Sequence, residues 1–80
     1  METGMLWFDN DPKSDLQSKV TRAAAYYRSK YGERPNLCFV HPSMLSEKVS
    51  KAGEIAVRSN NAIIPHHFWI GVQKQKTPNP

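Results

Sequence analysis

Cys38, His41, His66 and His67 are the side chains of this 80-residue chain best suited by type to a zinc-like ion. Their spacing works against a shared site. In an extended strand Cys38 and His41 point to opposite faces, and so do the neighbours His66 and His67. Only a bend at Pro42 or Pro65 would bring them together. A small buried cysteine and histidines in a polar loop account for the same residues more simply. Asp9, Asn10 and Asp11 could offer oxygen ligands to magnesium or calcium. The continuation has neither the glycine nor the closing glutamate of a calcium loop, so turn formation is the expected role. We expect no metal and no cofactor.

Covalent catalysis has one candidate pair. Cys38 and His41 supply a thiol and a base, yet a catalytic thiolate needs an accessible, electropositive setting. A cysteine between Leu37 and Phe39 in an apolar run lacks one. The chain carries no nucleophile elbow, phosphate loop or dinucleotide fingerprint. So short a chain also struggles to enclose a water-excluding pocket of ~300 Å³ by itself. The expectation is a protein that is not an enzyme, with an active site shared across an oligomer as the alternative.

Binding surfaces are better represented. Lys19, Arg22, Tyr26 and Lys30 fall within ~80° on one flank of a helix. Three cations around an aromatic ring suit a phosphate backbone and a stacked base, or another macromolecular partner. A solvated helix face with long cationic side chains explains them more simply. Trp7, Phe8, Phe68 and Trp69 load both ends of the chain with aromatic surface. Strand alternation turns one member of each pair outward, and Trp7 and Trp69 are taken as the partner interface.

These surfaces need elements to hold them. Met5–Phe8 reads as a first strand, broken by Asp9-Asn10-Asp11-Pro12. Ser14 and Gln17 have capping-box spacing, and Asp15 complements the helix dipole. Leu16, Val20, Ala23, Ala24, Tyr27 and Tyr31 then form a stripe ~100° wide, which predicts a helix over about 15–31. Gly32 and Pro35 end it. Asn36–His41 reads as a strand buried on both faces, and Pro42 opens a helical turn to Leu45. Residues 46–53 read as a loop and 54–58 as a half-exposed strand. Ala62–Ile64 and Phe68–Val72 are further apolar runs around Pro65. The predicted fold is α+β: one long amphipathic helix on a mixed sheet of three to five strands, in the order β-α-β-β-β. The first two strands would be joined by a crossover and the last would pair as a hairpin. Residues 1–72 form the single domain, and 73–80 a disordered tail.

Size and composition agree. Eighty residues fit one domain, at a size that buries only roughly 60–65% of the unfolded surface, so a partner subunit could supply missing burial. The hydrophobic fraction of 39% is that of a folded chain, and the net charge of +4 permits an anionic partner without requiring one. A single cysteine, no signal-peptide pattern and no long apolar run point to the cytoplasm and away from a membrane.

Two likenesses add to this. Leu6–Pro12 with Pro35–Pro42 resembles small bacterial proteins of unassigned activity, and implies no function. The helix leading to Pro35, Cys38-Phe39-Val40-His41-Pro42, the strand through Ile55–Val57, Ile63-Ile64-Pro65 and Phe68–Val72 together resemble the axial domain of tailed-phage major capsid proteins and encapsulin shells. That family commonly has an acidic residue where Val72 stands. The resemblance implies a truncated shell domain with an assembly role and no catalytic residues. The residues themselves favour a non-catalytic interaction module with a protein partner or a second copy of itself, and nucleic acid as an option through the basic flank.

Overall fold

Alternation decides the first element. In strand β1 (Gly4–Phe8) Met5 and Trp7 turn toward the core, while Leu6 and Phe8 are 62% and 55% exposed on the other side. The computed structural model describes residues 4–45 and 49–73. Helix α1 (Leu16–Tyr31) follows, then β2 (Leu37–Val40), a 3-10 turn (Pro42–Met44), β3 (Val49–Ala52), β4 (Ile55–Ser59) and β5 (His67–Gly71). They form one small α+β domain, with the helix against one face of a mixed five-stranded sheet ordered β1-β5-β2-β4-β3.

The helix starts one residue later than the capping-box spacing predicts. Asp15 is the N-cap, its carboxylate accepting the Ser18 N–H at 2.8 Å. Ser14 instead donates its hydroxyl to Asp11, and Gln17 donates to the Lys51 carbonyl. A carboxylate outcompetes a hydroxyl here because it also meets the positive end of the helix dipole. At the other end Gly32 takes φ 74° and its N–H returns to the Arg28 carbonyl at 2.7 Å, which stops the helix.

Val20, Ala23 and Tyr27 of α1 pack on Met5, Cys38, Val40, Val57, Phe68 and Ile70 of the sheet. Fully burying one such Val, Ile or Phe is worth about 1.5–3 kcal/mol, so this single layer is the main cohesive element. Lys19 is also buried, at 6% exposure, whereas Tyr31 is 43% exposed. The buried stripe is thus rotated by roughly 30–40° from the one the apolar residues alone define. The aliphatic stem of Lys19 serves as apolar surface while its ammonium seeks water.

The structure corrects some expectations and completes others. Residues 49–52, read as loop, are strand β3, joined to β4 as a hairpin through Gly53 at φ 63°. Polar residues are tolerated there because β3 is an edge strand. Ala62–Ile64 is not a strand but part of a turn in which Asn60 accepts the Ala62 and Ile63 amides. The strands β1 and β2 are parallel, as a crossover requires, but β5 inserts between them and pairs antiparallel with both. The last strands do not form a hairpin either, because β2 separates β4 from β5. Of the expected tail, residues 74–80 lie outside the described residues. No described helix is long and apolar enough to cross a membrane.

The approach to β5 carries backbone strain. Pro65 precedes His66 at φ 69°, and the His67 N–H returns to the Ile64 carbonyl at 3.0 Å, the pattern of a type II turn that favours glycine at its third position. His66 is exposed, so its side chain holds nothing in compensation. His66→Gly is expected to raise stability by about 0.5–1 kcal/mol in denaturant unfolding. An unchanged or lower midpoint would contradict the strain.

Candidate functional site

With the helix on one side, the other side of the sheet is left without a covering element among the described residues. Strand pairing arranges its side chains in rows. Leu6 lies opposite Trp69, Trp69 opposite Phe39, and Phe39 opposite Arg58. This band crosses four adjacent strands, about 15 Å at the usual strand separation. The Phe39 and Trp69 ring centroids are 5.8 Å apart with planes at 48°, and Phe8 lies 5.0 Å from His67. The next row, Gly4-Gly71-Leu37-Ala56-Lys51, is built mostly of small residues.

Gly4 has a specific part in this. A Cβ built there would fall within the Trp69 indole, so the missing side chain lets that ring lie against the β1 backbone. A groove of about 470 Å³ then opens over β2, lined by Leu37, Phe39, Ile63 and Trp69 with the polar Asn60 and Gln73. Asn36 ties one end of the neighbouring chain, accepting the Gln73 N–H at 2.7 Å and donating to its carbonyl at 3.1 Å. Arg58 and Lys51 are exposed on this same face, and none of its described strand residues is acidic.

The helix flank is less continuous than its spacing implies. Lys19 is buried, and Arg22 is committed to Asp9 at 2.9 Å. Tyr26 is half exposed with its ring 5.1 Å from Trp7, and Lys30 sits 5.5 Å from the centre of the Tyr31 ring. Trp7 therefore faces the helix rather than a partner, and its indole N–H finds no acceptor among the described residues. Phe8, not Trp7, is the outward member of its pair, while Trp69 is outward in the other.

The remaining chemistry-bearing residues are dispersed. Burial pushes the Cys38 thiol up to about 12, which leaves almost no thiolate at neutral pH. His41 caps the 3-10 turn, its Nδ1 accepting the Ser43 N–H at 3.0 Å. His67 Nδ1 lies 3.1 Å from the Pro65 carbonyl, and among the described residues no three His, Cys, Asp or Glu side chains converge. Asp9 and Asp11 serve the turn before α1. The Asp11 amide and the Arg22 guanidinium hold the Asp9 carboxyl below its usual range, and the Lys13 amide and Ser14 hydroxyl do the same for Asp11. A second groove, of about 460 Å³, lies between α1 and the β3–β4 hairpin, with Arg28, Arg34 and Glu54 in its lining.

No family model, curated protein or solved structure matches the chain. The open face is thus read from its own residues. Sequence reasoning reached Trp69 but passed over Leu6, Phe39, Ile63 and Arg58. Alternation was silent in β1 and β2 because both faces are apolar. The one available signal was Arg58, a cation in a strand whose alternate residues, Ile55 and Val57, are core.

Proposed function

We propose that the protein is a non-catalytic interaction module that docks a macromolecular partner on the open face of its sheet. The observation that carries this is the band Leu6-Trp69-Phe39-Arg58, in which Leu6 is more than half exposed, as is Phe8 beside it. Exposed apolar surface gathered on one face, rather than scattered, marks interaction sites. Aromatic residues and arginine are also the types that contribute most to binding energy at interfaces. The buried thiol and the dispersed histidines support a role without covalent chemistry.

The test compares two double variants of the full chain as baits in extracts of the native host. Phe8→Ser with Phe39→Ser strips the open face, and Arg22→Ala with Lys30→Ala strips the helix flank. Circular dichroism and thermal melts establish that both fold. The face variant is expected to lose tenfold or more of the captured partner, about 1.4 kcal/mol, while the flank variant retains it. The reverse pattern would assign docking to the helix. Self-assembly, which the shell-domain likeness implies, is read in the same samples by light scattering.

A further inference from the structure

The open face carries more than apolar surface, and its charge selects among partners. Arg58 is the cross-strand partner of Phe39 and adjoins the aromatic band, and Lys51, the partner of Ala56, stands one strand farther out on the edge strand β3. No described strand residue on this face is acidic, in a chain of net charge +4. A second copy packed face to face with its β3 and β4 over these strands would bring the like charges together, which costs affinity. A polyanion meets no such repulsion.

The rings add a second requirement. Phe39 and Trp69 come from adjacent strands and are tilted by 48° rather than stacked in parallel. Phe39 and Trp69 are each partly exposed, so both rings keep some surface in reach of a ligand. Aromatic side chains standing on a sheet with cations at one end suit unpaired bases, whose faces are open, and not a duplex, whose bases are already stacked. We infer that this face binds single-stranded nucleic acid, with bases stacked on Phe39 and Trp69 and phosphates held by Arg58 and Lys51. The inference rests on the open face being the docking surface.

Fluorescence anisotropy with short labelled oligothymidine and oligouridine, and with a duplex of mixed sequence, tests it on the full chain across a salt series. The single strands are expected to bind more tightly than the duplex, and the two single-stranded arms separate DNA from RNA as the source. Phe39→Leu and Trp69→Leu keep apolar bulk but remove the π-face, and each is expected to weaken binding roughly 10- to 100-fold. Arg58→Ala is expected to weaken binding and reduce the log–log salt slope by about 0.7. Arg22→Ala with Lys30→Ala is expected to bind as the parent does. Circular dichroism on each variant separates lost stacking from lost fold, and the more conservative Phe39→Leu keeps the test decisive if Trp69→Leu unfolds.

Absence of single-strand binding at low salt would overturn the inference, as would a preference for duplex or indifference to both ring substitutions. If no oligonucleotide binds, yet a host protein is lost on Phe8→Ser with Phe39→Ser, nucleic acid is wrong and the docking face stands. If that capture is also unaffected, both readings fall.

Discussion

Val20→Asp is expected to abolish folding, seen as loss of a cooperative thermal transition and of dispersed amide signals in solution. Val20 is completely buried on the inner face of α1, within the cluster of Ala23, Tyr27, Cys38, Val40 and Phe68. No cation to pair with the new carboxylate lies in that cluster, whose members are hydrophobic. The substitution forfeits the burial of the valine and either strands a charge or forces the acid to stay protonated. A chain of 80 residues has about 4–12 kcal/mol of stability in total, and a buried unpaired charge removes several of those. Thr21→Asp, one position along and exposed, is the control, with an expected change within ~0.5 kcal/mol. A Val20→Asp protein that melts like its parent would refute the packing of α1 on the sheet.

The second large effect concerns Gly4. Valine favours strands, so Gly4→Val on propensity alone would strengthen β1. The structure demands the opposite. The new side chain would occupy the space of the Trp69 indole and force that ring off the β1 backbone. Overpacking of this kind costs about 1–3 kcal/mol, and each kcal/mol lowers the melting temperature of a domain this size by about 4–8 °C. A double-mutant cycle isolates the cause. Because Trp69→Ala removes the clash, Gly4→Val should cost much less in that background, with a coupling of about 0.5–3 kcal/mol. Additive effects would show that Trp69 does not rest on Gly4, and the band across the open face would lose its central member.

Local pattern was sufficient for part of this molecule. The 3.6-residue period from Leu16 to Tyr27 and the glycine at position 32 located α1 and its end to within a residue. The apolar run through Leu37–Val40 located a central strand, and it sits in the middle of the sheet. These signals are legible because they are short-range: a helix buries one stripe, and a run of consecutive apolar residues marks a strand from the interior of a sheet. The N-cap was misplaced by one residue because Ser14 and Asp15 are both good caps and only the folded geometry separates them.

By itself, then, the sequence determined the helix, the central strand and the α+β class. The tertiary structure decided the insertion of β5 between β1 and β2, the edge strand β3, the burial of Lys19, and the choice of Phe8 over Trp7 as the outward ring. Each of those depends on pairings between distant segments, such as Gly4 with Gly71 and Phe39 with Trp69. A strand with apolar residues on both sides has no local mark of which side will be covered. That outcome is set when the one helix settles on one face, and the binding surface is whatever it leaves open.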